Sequence, residues 1–536
     1  MTDQKRDMRV ATLLERLDRH GLSRRKFMEG AMAAGMTAAA ASTLWSDAAR
    51  AEGPKRGGHF RIGMQDGNTT DSLDPGTTES TFMIDLNHGV RSYLTEITED
   101  NVVGPDAAES WEASDDASVW TFKLFEGVEF HNGKTFTAAD ARDSLNFHRA
   151  EDSKSAAKPL LESVEEIIAD DDRTLTVKLT SGSADFPYVL TDYHMVMMPS
   201  DGEGNVDFAS GIGTGGYAIE SFDPGVHATF KRHENFFKPD HAWFDSAEFI
   251  AIPDSNTRMT AVTTDEVDAI TNADLKTAHM LSRDPNVTVL DIPSGGHATM
   301  AMHVDVPPFD NNDVRLALKL AIDREEILQK ILRGHGTIGN DHPIGPTLPY
   351  WSELPQREYD PDKAKHHLKK AGMENLKVSF STSEVPFPGA TDAGILYQEQ
   401  AKAAGIDVNV VRESNDGYWS NVWLVKPFCM VGWGQRPTPD VMFTLGYAAD
   451  APWNETHFKD ERFNSLLLEA RKELNDERRV ELYREMMLIV RDEGGTIVPF
   501  FNNWVYAHRA NVQHGEQVSG NWPLDGHRAL ERWWFA

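Results

Sequence analysis

A mixed α/β protein of at least two lobes is the fold the sequence predicts, and three observations carry that reading. Strand patterns dominate the first half of the chain and helix patterns the second. No internal repeat or low-complexity segment interrupts them. The 536 residues are enough for two to four domain-sized units, each able to bury a core. Composition is globular, 40% hydrophobic and 26% charged, which excludes a largely disordered or collagen-like chain.

The first element is an address. Ser23-Arg24-Arg25-Lys26-Phe27-Met28 precedes a weakly apolar run of about 15 residues, Gly30 to Leu44, against roughly 20 needed to span a bilayer. Ala49-Arg50-Ala51 then supplies a small-x-small cleavage site before Glu52. Residues 1–51 therefore read as a twin-arginine signal peptide, and no cysteine follows the cleavage site to carry a lipid anchor. Its removal leaves 44 Lys and Arg against 78 Asp and Glu, a charge of −34. The expected location is the periplasm. The twin-arginine route carries folded cargo, which is compatible with a cofactor but requires none; no cofactor is expected.

Two strands come next. Trp120 to Leu124 and Leu175 to Leu179 alternate with period two, the second following the turn Asp170-Asp171-Asp172. Helices come later. Asn312 or Asp313 caps a helix expected to run to about Leu332, with Gly334 beyond its end. Asp360-Pro361 is a cap followed by proline at the first helical position, and Gly372 closes that helix. A helical stretch from about Asp460 to Val490 breaks near Asn475-Asp476, and Thr496 to Phe501 reads as a buried strand.

Charge and motif narrow the function classes. A formal charge of −31 argues against a general nucleic-acid surface. The single cysteine, Cys429, excludes an intrachain disulfide and a cysteine zinc site. Gly211-Ile212-Gly213-Thr214-Gly215-Gly216 matches a dinucleotide fingerprint, but Tyr217 to Phe222 reads as a strand where a helix is needed. Gly127 and Gly133-Lys134-Thr135 miss P-loop spacing by one residue. His233-Glu234 lacks the second histidine of a zinc-protease motif, having Phe237 instead. Asp201 to Ile212 lacks the glycine and glutamate of a calcium loop, and no G-x-S-x-G elbow occurs. His366-His367 reads as solvated rather than metal-bound.

Several segments in order resemble one family. They are Pro105-Asp106-Ala107-Ala108-Glu109-Ser110-Trp111, Trp120 to Leu124, Gly127 to Lys134 and Phe136-Thr137-Ala138-Ala139-Asp140. Further on come Gly213-Thr214-Gly215-Gly216-Tyr217, Asp313 to Leu318, Ala321-Ile322-Asp323-Arg324 and Tyr359-Asp360-Pro361-Asp362-Lys363-Ala364. Together they resemble the extracytoplasmic solute-binding proteins of family 5, the dipeptide, oligopeptide and nickel receptors of ABC importers, over roughly residues 57 to 510. Gly216 stands where the family pattern has proline.

The resemblance implies an α/β, two-lobed periplasmic-binding-protein fold of type II, in the large class with an extra subdomain in lobe I. Lobe I is expected at 52–298, with the subdomain at about 95–210, lobe II at 299–497, and a C-terminal return to lobe I at 498–536. Two crossing strands are expected near Thr299 to Val304 and Ile497 to Phe501. The implied ligand contacts are Thr78 after the first strand, Thr214 and Gly215 in the G-T-G stretch, and Trp433, Gly434, Gln435, Arg436 and Asp440 in a tryptophan loop. Phe387, Trp419 and Trp504 complete the set; Trp423 and Trp453 are further indoles of the second lobe.

Dipeptide receptors anchor the peptide amine with an aspartate whose counterpart here is about Gln435 or Arg436. They anchor the carboxylate with an arginine before a Pro-aromatic pair; here Val385-Pro386-Phe387 has none. Arg436 offers a planar fork for a carboxylate or phosphate instead. The expected function is a non-enzymatic receptor that delivers a peptide or peptide-like solute to the permease subunits of an ABC importer. The alternatives are a receptor for an opine, oligosaccharide, other organic anion or chelated nickel, or an exported hydrolase.

Overall fold

In the computed structural model, residues 53–415, 418–451 and 453–536 are described. The expected twin-arginine leader, residues 1–51, lies outside them. A twelve-stranded sheet forms the frame. From one edge its order is Asp407–Arg412, Lys377–Thr382, Phe428–Trp433, then the long strands Val287–Met302 and Phe500–Arg509, then Ala269–Ile270, His59–Met64, Ser246–Ala251, His227–Arg232 and Tyr217–Asp223. Two short strands, Gly336–Ile338 and Thr496–Ile497, pair with the long ones.

The two long strands run through both halves of the sheet. Val287 to Pro293 pairs only with Arg509 to Asn503, whereas His297 to Met302 also pairs with Trp433 to Phe428. The ladder is irregular between Pro293 and His297. This passage lies earlier than the expected Thr299 to Val304. The expectation followed the apolar run, which is the buried second half of the strand; the passage itself is Ser294-Gly295-Gly296 and carries no apolar signal. Added methyl groups at Gly295 and Gly296 would stand 3.0 Å from the side chains of Gln435 and Asn502.

A separate four-stranded sheet, Ala108–Ala113, Val119–Leu124, Thr174–Leu179 and Val164–Asp171, has its own core around Trp120, Phe122, Leu124, Leu175 and Val177. Val119–Leu124 and Thr174–Leu179 alternate buried and half-buried positions, as their period-two sequence requires. Helix Ala138–Arg149 packs on this core through Ala141 and Leu145, its start fixed by a Thr137–Asp140 capping box. In the second half, Asp360 caps helix Pro361–Ala371, and Gly372 ends it at φ 69°. Asp460 and Asn475 cap helices Glu461–Lys472 and Asp476–Glu493. The helix expected from Asn312 to Leu332 is two, Asn312–Leu320 and Arg324–Lys330, because Asp323 turns its carboxylate onto the Glu326 N–H and starts the second.

The C-terminal residues return to the first strand. Trp533 is fully buried with Phe60 and Tyr506. Lys238 and Arg528 sit among Glu96, Asp106 and Glu531 at 2.8–3.1 Å. A second buried ion pair links distant segments. Asp185 contacts Arg479, whose guanidinium lies 4.2 Å over the Tyr350 ring, and accepts the Thr438 hydroxyl.

Three buried histidines and the half-buried His131 set a pH limit. His131 donates from Nε2 to the Gly215 carbonyl at 3.1 Å and accepts the Gly213 N–H on Nδ1 at 3.2 Å, a pairing that only the neutral ring satisfies. Burial pulls His131, His148, His297 and His342 down to about 4. Their unfolded value is about 6.5, so the unfolded chain takes up protons that the native one refuses as pH falls. The stability they contribute is whole above about pH 6.5 and is lost towards pH 4. Thermal unfolding midpoints should therefore fall between these limits; a midpoint level from pH 7 to 5 would show that the native rings accept charge.

Candidate functional site

The passage between the two halves of the sheet is held by side chains. Ser294 donates its hydroxyl to the Asn502 carbonyl at 2.7 Å and accepts the Gly296 N–H at 3.1 Å. Beside it opens a cavity of about 620 Å³. Its walls come from both sides of the passage, among them Lys276, His297, Phe387, Trp433, Asn502 and Trp504. A larger cavity of about 810 Å³ lies near the Gly336–Ile338 strand, but residues 328–356 and Phe501 supply all of its lining. The smaller one is the candidate solute site, because only its walls span the sheet's two halves.

Trp433 ends strand Phe428–Trp433 opposite His297 and forms part of a tryptophan cluster. Its ring meets Trp423 at 6.3 Å and Trp453 at 6.0 Å, and Trp419 meets Trp423 at 5.7 Å, mostly edge to face. Behind them lies the buried carboxylate of Glu455. It accepts the indole N–H groups of Trp423 at 2.9 Å and Trp433 at 3.1 Å, and the Thr299 hydroxyl at 2.5 Å. Burial raises the Glu455 pKa, and these three donors oppose the rise. The carboxylate thus fixes two indoles whose outer neighbours, Trp419 and Trp453, stay exposed.

Arg436 lies against this cluster, next to Gly434 of the cavity wall but not itself part of the cavity's lining. Its guanidinium is 5.9 Å from the ring centres of both Trp433 and Trp453, and its Nη1 donates to the Gly434 and Gln435 carbonyls. Among the described residues no carboxylate reaches ion-pair distance of it. Burial lowers its pKa, and Tyr193 and Asp192 oppose that. Asp192 already holds His194 at 2.6 Å.

The other expected contacts divide. Phe387, Trp433, Gly434 and Trp504 line one cavity, Phe387 packing edge-on against Phe500 and Trp504 donating its N–H to Gly520. Five are engaged within the chain. Thr78 accepts the Asn87 amide and Thr214 the Ser92 N–H. Gly215 bonds the Val90 carbonyl at 2.9 Å, and a methyl there would stand 2.5 Å from the Val90 carbonyl carbon. Gln435 accepts the Gly295 N–H at 2.6 Å and donates to Asn521 at 3.0 Å. Asp440 is buried against Arg471 at 3.2 Å. His367, expected to be solvated, pairs with Asp313 at 2.8 Å, because the helix it sits on lies against Asn312–Leu320.

Sequence reasoning missed Glu455, His297, Tyr193 and the pair Asn502-Asn503. The asparagines carried a signal: two amides interrupt the apolar run Phe500-Phe501 to Trp504. Glu455 carried none, since its three donors come from residues 299, 423 and 433.

The model of the Bacterial extracellular solute-binding proteins, family 5 Middle, matches residues 102–455, well over half of the chain. Heme-binding protein A of Haemophilus influenzae is 28% identical over 430 residues, covering 73% of this chain and 77% of its own. The dipeptide-binding protein of Escherichia coli is 24% identical over 484 residues, covering 81% and 87%. Among solved structures, the periplasmic binding protein DppA from Helicobacter pylori in complex with the peptide STSA superposes with a TM-score of 0.71 at 21% identity, covering 91% of this chain and 99% of that one. Such neighbours share the two-lobed fold.

Glu455→Ala should strand two indole N–H groups and a hydroxyl in the core. The expected loss is roughly 3 kcal/mol or more in urea unfolding, with a red shift of tryptophan emission. Unchanged stability would mean that the indoles find other partners.

Proposed function

Since the chain belongs to the family 5 bacterial extracellular solute-binding proteins, we propose that it captures a carboxylate-bearing peptide or peptide-like solute between its lobes and delivers it to the permease subunits of an ABC importer. The observation that carries the substrate class is Arg436. It presents a guanidinium between two indoles at 5.9 Å, without a carboxylate partner among the described residues. A planar fork in a partly desolvated site suits a carboxylate. The missing arginine before Pro386, and the missing aspartate at about Gln435 or Arg436, remove the two anchors of a free dipeptide; Arg436 supplies an anchor for a carboxylate in place of the first.

Capture follows from the frame. A solute that touches Trp433 and Arg436 on one side of the passage, and Asn502 or Lys276 on the other, favours the conformation in which both sets reach it. The family consists of solute-binding proteins of transporters, and the proposed role requires no bond making or breaking. The Arg24-Arg25 leader supports export by the twin-arginine route to the periplasm, and among the described residues no helix is long and apolar enough to cross a membrane.

Two experiments test this reading. Thermal unfolding against a panel of peptides, opines, sugars and nickel chelates should give a hit among carboxylate-bearing solutes. The stabilisation should be about 2.7 kcal/mol at 100 times Kd. Arg436→Gln should abolish that shift and leave the unliganded midpoint within a degree or two. A hit confined to neutral sugars, or one indifferent to the substitution, would sink the substrate class. Replacing Arg24 and Arg25 together by lysine should strand the precursor in the cytoplasm, read by cell fractionation; normal export would exclude the twin-arginine route.

A further inference from the structure

At the end of strand Val287–Met302 away from the cavity, two histidines and an aspartate converge. His303 and Asp305 follow the strand directly, and His457 comes from the turn after Glu455. One ring nitrogen of each histidine and a carboxylate oxygen of Asp305 all lie within 4.8 Å of one another. The two imidazoles stack at 3.9 Å, and His457 Nδ1 is 2.9 Å from Asp305 Oδ1. His303 is only 4% exposed, and its Nε2 has no hydrogen-bond partner. A buried ring nitrogen left without a partner is costly.

The backbone around the cluster is built to hold it. His303 N–H bonds the Pro427 carbonyl at 2.9 Å, and Val304 N–H bonds Thr456 at 2.8 Å, so the two segments are pinned side by side. His457 itself adopts φ 56°, the left-handed region that a histidine seldom enters. Asn454 holds that turn by accepting the Phe458 N–H and donating to the Phe458 carbonyl.

We propose that His303, Asp305 and His457 form a binding site for a divalent first-row transition metal ion such as Zn²⁺ or Ni²⁺. Two imidazoles and one carboxylate are a donor set for these ions, with the remaining positions left to water. Donors within 4.8 Å of one another reach a common ion at about 2.0–2.2 Å once the stacked rings turn to point one lone pair each at it. The site is separate from the solute cavity, since His303 lies six residues along the strand from His297, about 20 Å at strand rise. It is coupled to the tryptophan cluster through the chain. The segment that brings His457 to the ion also brings Trp453 to Arg436 and Glu455 to the indoles of Trp423 and Trp433. A bound ion fixes that segment from outside the cavity.

The test uses the untagged full chain after chelator treatment, titrated with Zn²⁺ alone and with Ni²⁺ alone by calorimetry and thermal unfolding. One equivalent per chain and a raised midpoint are expected, and Co²⁺ should give visible absorption bands of a nitrogen- and oxygen-ligated ion. Asp305→Asn alters an exposed ligand, and His457→Asn places at φ 56° a residue that tolerates it, so both should fold. Each should weaken binding at least tenfold. Absence of binding at 100-fold molar excess of either ion would overturn the site. Binding that survives both substitutions would assign the ion to surface carboxylates and overturn it equally.

Discussion

The candidate solute site hangs from two antiparallel strands that run through both halves of one sheet. Val287–Met302 and Phe500–Arg509 exchange hydrogen bonds on either side of an irregularity at Ser294-Gly295-Gly296. A continuous ladder resists bending, so rotation between the halves concentrates where the ladder lapses. There the side chains of Ser294 and Gln435 replace ladder bonds, Ser294 donating to the Asn502 carbonyl. Gln435 also reaches Asn521, so the tryptophan loop, the passage and the C-terminal segment share one amide. Any change in the angle between the halves is felt at the residues beside Trp433.

Buried charge is the second constraint, and it explains why an acidic chain keeps so many cations inside. A carboxylate taken out of water costs several kcal/mol unless it is matched. Glu96, Asp106 and Glu531 are matched by Lys238 and Arg528, which bind the C-terminal return to the four-stranded sheet's neighbourhood. Asp185 is matched by Arg479 and joins that subdomain to helix Asp476–Glu493. Asp341 is matched by Arg324 and Arg357. These pairs fix which segments meet more than they add net stability. The excess acidity is left on the surface.

Much of the frame was legible because its determinants are local. Asp360-Pro361 with Gly372, and Asn475 before Asp476, set helix ends through their own backbones. Trp120 to Leu124 declares its strand by alternation. The passage was misplaced because glycines and a serine carry no periodicity, and the helix from Asn312 was read too long because Asp323 looked like an interior residue. The resemblance pointed to loops, but not to which of their side chains are already engaged within the chain. Thr214 and Gly215 are used in seating their loop against Val90 and Ser92, a purpose the motif itself does not reveal. Glu455 could not be read at all, since its role exists only once residues 299, 423 and 433 are folded together.

The tryptophan loop separates the proposed binding residue from its neighbours. Within eight positions, 433 to 440, each polar side chain has a hydrogen-bond partner outside its own loop except one. Gln435 holds Gly295 and Asn521; Thr438 donates to Asp185 and caps the helix that follows; Asp440 holds Arg471. Arg436 alone has only its own loop's carbonyls and two aromatic faces. Carbonyls and indoles stabilise a guanidinium by about 1 kcal/mol or so each, less than a matched carboxylate supplies in the same surroundings. Arg91, Arg258, Arg315 and Lys319 also bond only amide or carbonyl oxygens, but they are buried and their donors are taken up by other segments of the chain. Arg436 differs in being half-buried beside the exposed Trp453, and under the proposed function that is where a carboxylate from solution meets it.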